Sequence, residues 1–297
     1  MKAKERMLLS MTGQGTGQIT VGNNLFRIEI KTLNSKYTDI KVSLPAVLRP
    51  FELEIHKILT ERLIRGTIRL YVYQERLAEP DQVPIQENVL KGYVKYLQNL
   101  ASELSAPLPD PISTALRLPD VLKPDFSELS DEEWEEFQKG LNQVIDEVIE
   151  FRRNEGKTLE KVISSYINEI ETRLRKIEEL EPERNKLLRE NLRENINKLK
   201  QNIDELDESR FEQEVLYYLI RMDFTEEKDR LWQHIKHFKE TMAEDPPNGK
   251  KLTFIAQEIG REINTLSNKS QYAPIQKLAV EIKDYLNRIK EQLANVL

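Results

Sequence analysis

The sequence predicts an α+β protein: a small N-terminal β-β-β-α-β domain followed by a large all-α domain with a long helical arm. Three observations carry that prediction. Apolar and polar residues alternate over much of residues 1–78. From about residue 129 to the end, apolar residues recur at three- and four-residue spacing. Between these regions the chain is broken by Pro80, Pro84, Pro107, Pro109, Pro111, Pro119 and Pro124.

In "NLFRIEIKTL", Phe26, Ile28 and Ile30 fall on one face and Arg27, Glu29 and Lys31 on the other, which predicts a half-buried strand. "VGNN" before it has turn chemistry and makes residues 8–21 the first strand of a hairpin. "YTDIKVSL" predicts a third strand, ended by Pro45. "RPFELEIHKILTERLIRG" predicts a helix with Pro50 in its first turn and Gly66 just past its end, and "TIRLYVY" returns to strand. Residues 79–130 form a connector with one helix near 86–105. Residues 131–205 form the arm, with an apolar series that includes Leu141, Val144, Ile145, Val148, Leu159, Val162, Ile163, Tyr166 and Ile170. Residues 206–297 hold three helices near 208–242, 250–268 and 273–295, separated by "AEDPPNGK" and "SQYAP".

The 297 residues include no cysteine, which excludes disulfides, thiolate metal sites and a cysteine nucleophile. No apolar run approaches the roughly 20 residues that span a bilayer, and the basic start lacks a signal-type apolar segment. A cytoplasmic protein without membrane contact is expected. The net charge of −6 is uneven. Residues 1–78 hold 13 Lys and Arg against 7 Asp and Glu, and the remainder holds 32 against 44. A basic domain suited to phosphates, joined to an acidic one suited to cations, is one reading; two ordinary solvated surfaces is the other.

The chemistry-bearing pattern lies in the last two motifs. In "KLTFIAQEIGREINTLSNKS", Glu258, Glu262, Thr265 and Lys269 share one narrow sector at about 100° per residue. That sector flanks the apolar set Leu252, Ile255, Ile259, Ile263 and Leu266 instead of lying opposite it. In "FEQEVLYYLIRMDFTEEKDRLWQHIKHF", Glu212, Asp223, Glu227, Arg230 and His234 share a sector beside Ile220, Phe224, Leu231, Ile235 and Phe238. Pairing of the two helices would bring both polar lines to one groove. Like charges at i,i+4, as in Asp223/Glu227 and Glu258/Glu262, cost about 0.2–0.5 kcal/mol on an isolated helix. A divalent cation would remove the cost; so would Arg230, Arg261 or Lys269 from the same sector.

His56 reads as surface, and His237 falls at the edge of the polar sector. His234 is the best histidine for a ligand or a proton-transfer group, although a purely structural place at a helix boundary fits it too. Trp134 and Trp232 read as packing residues. There is no phosphate-binding P-loop, no G-x-S-x-G elbow, no H-E-x-x-H zinc motif and no aromatic stacking surface of the RNP type.

"SMTGQG", "EIKTLNSKYTDI", "LIRGTIRLYV", "RRNEGKTL", "RFEQEV", "RMDFTEEKDRLWQHIKHF", "QEIGREINTLSNKS" and "IKEQLANV" together resemble the YicC/YloC family of bacterial endoribonucleases, nearly end to end. The resemblance implies a divalent-metal-dependent endoribonuclease, homo-oligomeric and hexameric, that clamps RNA. It carries the family's polar positions onto Asp223, Glu226, Glu227, Arg230, His234, Gln257, Glu258, Arg261, Glu262, Asn264, Thr265 and Lys269. One position departs: the family's usual aspartate before the phenylalanine of "LDF" is Thr253 here.

The site expected on this basis uses Asp223, Glu227, His234, Glu258 and Glu262 to hold Mn²⁺ or Mg²⁺, with His234, Glu258 and Glu262 acting in catalysis. Arg230, Arg261 and Lys269 would hold phosphate, and Lys31, Lys36, Arg65 and Arg69 would grip the RNA backbone from the small domain. Two other readings stand beside it: a non-catalytic RNA-binding or adaptor protein, and a helical scaffold whose polar lines are a subunit interface.

Overall fold

The computed structural model describes residues 8–76, 85–121, 129–200 and 208–297. The basic N-terminal start, Pro80, Pro84, Pro124 and the expected boundary at 205–206 lie outside the described residues. The N-terminal module is a four-stranded sheet in the order β1-β2-β4-β3, built from β1 (Gly13–Val21), β2 (Asn24–Leu33), β3 (Asp39–Ser43) and β4 (Thr67–Arg76). The hairpin reads as expected: Val21 pairs with Asn24, leaving Gly22 and Asn23 as a two-residue turn. β3 runs parallel to β4, and the crossover it needs is a short 3₁₀ turn (Ala46–Phe51) followed by α1 (Glu52–Leu63). The first strand starts at Gly13, not at residue 8, because residues 8–11 pair elsewhere.

The alternation sorts the sheet into two faces. Phe26, Ile28, Ile30, Ile68, Leu70 and Val72 point into a core closed by α1 and by the first half of α4 (Asp131–Lys200). Trp134, on α4, stacks on Phe51 at 4.2 Å, and its indole N–H donates to Glu54 at 3.0 Å, so it is a packing residue as expected. Close approach of α4 to β1 needs glycine: a Cβ on Gly15 would lie 2.7 Å from the Val144 carbonyl oxygen. The connector contributes α2 (Glu87–Glu103) and α3 (Pro111–Ala115), with Asp110 capping α3 through the amides of Ile112 and Ser113.

The arm is one helix of 70 residues, about 105 Å at 1.5 Å per residue. It serves two cores. Phe137, Leu141, Val144, Ile145 and Val148 face the sheet, and Leu159, Ile163, Ile167, Ile170, Leu174 and Ile177 face the C-terminal helices. Over this stretch its apolar side is therefore covered within the chain.

Where the sequence predicted one helix at 208–242, there are two, α5 (Glu208–Met222) and α6 (Thr225–Met242). The Asp223 carboxylate accepts from both the amide, at 3.0 Å, and the hydroxyl, at 2.7 Å, of Thr225, starting α6 afresh. The break rotates α5 out of register. Ile220, expected in the apolar stripe, is 64% exposed, while Phe224, Leu231, Ile235 and Phe238 are buried as expected. Two further helices, α7 (Gly249–Ser270) and α8 (Ala273–Leu293), complete the domain. Trp232, a second expected packing residue, donates its indole N–H to Glu178 on α4 at 3.0 Å.

The motif "RRNEGKTL" is a junction. Arg152 is 2% exposed, and its guanidinium donates to the carbonyls of Leu63 at 2.8 Å, Met11 at 3.0 Å and Arg65 at 3.3 Å. Burial pushes its pKa down to about 10, so it stays charged at neutral pH. Glu155 accepts the Thr12 hydroxyl at 2.6 Å. Gly156 lets the backbone at Leu8 cross α4, since a Cβ there would sit 2.0 Å from the Leu8 carbonyl oxygen. Residues 9–11 also pair with 295–297, which ties the two ends of the described chain together.

Candidate functional site

α6 and α7 pack side by side, and the two polar lines do meet. Lys269 Nζ lies 2.7 Å from Glu227 Oε1, and Arg230 lies 3.7 Å from Glu262 Oε1. Arg230 also pairs with Glu226 on its own helix, and Arg261 pairs with Glu258 at 2.8 Å. The i,i+4 pair Glu258/Glu262 is thus offset by Arg261 and Arg230, the second of the two possibilities the sequence left open, whereas Asp223 precedes α6 and forms no helical i,i+4 pair with Glu227. Among the described residues no group of three or more His, Asp or Glu side chains comes together in a way that could hold a metal ion.

One atom is left over. Glu227 is 6% exposed, and its Oε2 is buried with no hydrogen-bond partner among the described residues. A desolvated carboxylate oxygen without a partner costs about 1–3 kcal/mol or more, and a native structure keeps one only with a reason such as a bound ion or water. Glu262 and Glu258 line the same seam with side chains 13% and 20% exposed. Asp223 is held at the start of α6, where the Thr225 hydroxyl and amide, with smaller help from Lys269 and Arg184, lower its pKa. His234 is half-buried one turn along from Arg230. Thr253 spends its hydroxyl on the Gly249 carbonyl at 2.8 Å within α7, about 13 Å along the helix from Glu262.

Arg184 on α4 was not legible in the sequence, where it is one charge among many in "LEPERNK". It is 5% exposed and donates to the carbonyls of Met222 at 2.7 Å, Lys269 at 2.8 Å and Ser270 at 2.9 Å. It thereby caps the C-terminal ends of α5 and α7 and fixes the backbone that carries Asp223 and Lys269.

The basic residues expected in the small domain cluster at one end of the sheet. Lys31 and Arg69 face each other across β2 and β4, and Lys41 follows on β3. Lys31 pairs with Glu29, whose hydrogen bond raises its pKa. Lys36 and Arg65 line one cavity beyond that end, together with Lys250 from α7.

Comparison with known proteins bears on the family of the chain. Residues 8–161 match the family described as "Endoribonuclease YicC-like, N-terminal region", and residues 177–297 match "Endoribonuclease YicC-like, C-terminal". A protein of Clostridioides difficile (strain 630) named "Probable endoribonuclease YicC" is 30% identical over 293 residues, covering 98% of this chain and 100% of that protein. A protein of the same name from Haemophilus influenzae is 28% identical over 272 residues, covering 90% of this chain and 92% of its own length. The α6–α7 seam lies wholly within the C-terminal match.

Proposed function

Because the chain belongs to the endoribonuclease YicC-like family, we propose that it is an endoribonuclease that cuts RNA phosphodiester bonds at the α6–α7 seam. The observation that carries the choice of site is Glu227, a buried carboxylate with one oxygen on Lys269 and the other unengaged. Both relatives above are named as probable endoribonucleases, which supports the activity.

The open Glu227 Oε2 is what supports a divalent cation, Mn²⁺ or Mg²⁺, at the seam, where the acidic side chains of the described residues are not otherwise gathered into a three-ligand cluster. Glu227 would hold it, joined by Glu262, Asp223 or Glu258, with His234 as a further ligand. When bound, such a cation stabilises charge on a phosphate and lowers the pKa of an attacking water or 2′-hydroxyl. The chain's own cations do the rest. Arg230, Arg261 and Lys269 hold phosphate oxygens against developing charge. Where it is not a ligand, His234 instead moves the proton to or from the attacking or leaving oxygen. Lys31, Lys36, Arg65 and Arg69 hold the strand through its backbone.

The proposed working form is a homo-oligomer, a hexamer by resemblance, that closes around RNA. Its support in the structure is α5, where Leu216, Tyr217 and Ile220 are 59%, 63% and 64% exposed on one side of the helix. No helix among the described residues is long and apolar enough to cross a membrane, and a cytoplasmic place is part of this proposal.

The test is cleavage of a labelled RNA by the purified protein with Mn²⁺, Mg²⁺ or chelator, compared with a folded Glu258→Ala/Glu262→Ala variant. Metal-dependent cleavage lost in the variant supports the reading. RNA binding without cleavage under any of these conditions favours the non-catalytic adaptor instead.

A further inference from the structure

A cavity of about 350 Å³ opens between the sheet module and the first turn of α7, lined by Lys36, Tyr37, Ile64, Arg65, Pro247 and Lys250, among others. It differs from the α6–α7 seam in three ways. No acidic side chain lines it, and no carboxylate among the described residues pairs with Lys36, Arg65 or Lys250. It carries an exposed aromatic ring: Tyr37 is 71% exposed, and Lys36 Nζ lies over one face, 5.5 Å from the ring centroid. Its wall is fixed, since Arg65 Nε donates to the Ser35 carbonyl at 3.1 Å and the Thr38 hydroxyl to the Ile64 carbonyl at 3.2 Å. Ile64 itself sits at φ 61° and ψ −61°, a positive-φ, γ-turn-like conformation that a β-branched residue adopts only under constraint.

Two amides at the start of α7, those of Asn248 and Gly249, are already engaged, donating to the Leu297 carbonyl at 3.1 and 2.9 Å.

We propose that this cavity is a nucleotide subsite for single-stranded RNA, in which a base stacks on Tyr37 and the flanking phosphates are held by Lys36, Arg65 and Lys250. The inference rests on the reading of the chain as an RNA-cleaving protein and extends it. Stacking on an exposed ring is the sequence-tolerant way to hold a single strand, and unpaired cations beside it supply the phosphate contacts. The subsite joins the two parts of the chain, because Lys250 starts the helix that ends in Lys269. The 19 residue steps from one to the other span about 28 Å, or about eight nucleotides of a stacked strand at roughly 3.4 Å each. On the way, Phe254, Gln257, Arg261 and Asn264 form the exposed line of α7, and Phe254, at 61% exposure, offers a second ring. RNA anchored at Tyr37 is thus led along α7 to the seam.

The experiment measures binding of oligoribonucleotides of 4 to 20 nucleotides in chelator, and cleavage of the longest with metal, for wild type, Tyr37→Ala, Tyr37→Phe and Lys250→Gln. Both positions are exposed, so the variants should fold as wild type, which circular dichroism checks. Wild-type affinity should rise up to about ten nucleotides. Tyr37→Ala should weaken the 20-mer about tenfold and flatten that rise, Tyr37→Phe should restore it, and Lys250→Gln should reduce the slope of log Kd against log salt by about 0.7. Binding of the 20-mer within twofold of wild type by both Tyr37→Ala and Lys250→Gln overturns the subsite, even if wild type cuts RNA. A wild type that never cuts but binds through Tyr37 overturns the cleavage reading and leaves the subsite standing. Unchanged affinity with a fall in particle mass makes the cavity a contact between copies and also overturns it.

Discussion

Lys269 on α7 reaches 2.7 Å from Glu227 on α6, and the pair is the closest ionic link across the seam. With the Glu227 side chain 9% exposed and that of Lys269 30% exposed, the contact is partly desolvated. Removing only the cation strands a buried carboxylate, so Lys269→Met should lower unfolding free energy by about 3 kcal/mol in urea denaturation. The double variant Glu227→Met/Lys269→Met should regain most of that loss. Equal instability of single and double variants would show that the pair is not what the seam depends on.

Asp223 gives the seam a pH dependence. Its hydrogen bonds from Thr225 hold its folded pKa below the ordinary 3.8. A depressed carboxylate contributes stability that is complete above the unfolded pKa and lost as pH falls through the folded one. Acid unfolding of wild type should therefore gain a component below about pH 4 that Asp223→Asn lacks. Parallel pH curves for the two proteins would mean the Asp223 contacts do not survive in solution.

Arg152 should behave as a structural hub. Arg152→Ala removes the buried guanidinium that ties the carbonyls of Leu63, Met11 and Arg65 together, a loss of about 2–3 kcal/mol even though the Thr32 hydroxyl still reaches Met11 and the Arg65 amide still reaches Leu63. Arg152→Lys offers an ammonium in place of the planar fork and should recover only part of it. Denaturant midpoints within error of wild type for both would contradict the junction described above.

The α5 surface should carry assembly. Leu216→Lys/Ile220→Lys places two charges on a face that the single chain leaves in water. Particle mass by light scattering at micromolar concentration should fall, with helix content unchanged. A wild type that is itself monomeric there would contradict the oligomer.

How much of this the sequence disclosed follows from the range of each interaction. The β-β-β-α-β order was legible because Phe26, Ile28 and Ile30 alternate with charges, a signal local to one strand. The two polar lines were legible because Glu258 and Glu262 lie on one α7 surface whatever packs against it. The helix break at Asp223 was not, because the stripe from Phe224 onward carries on the same apolar spacing. Only the side-chain contacts of Asp223 mark a restart there. Arg184, Lys250 and Tyr37 were missed for a different reason: each gains its meaning from a segment far along the chain.

The central claim is that the Glu227 carboxylate at the α6–α7 seam is chemically engaged in cutting RNA. Glu227→Gln tests it most directly, since the amide keeps the size of the side chain and an oxygen for Lys269 while removing the charge. In a single-turnover assay with Mn²⁺ or Mg²⁺, RNA affinity should stay within about threefold of wild type, and the cleavage rate should fall by about a hundredfold. A folded Glu227→Gln protein that cuts at the wild-type rate would contradict the account.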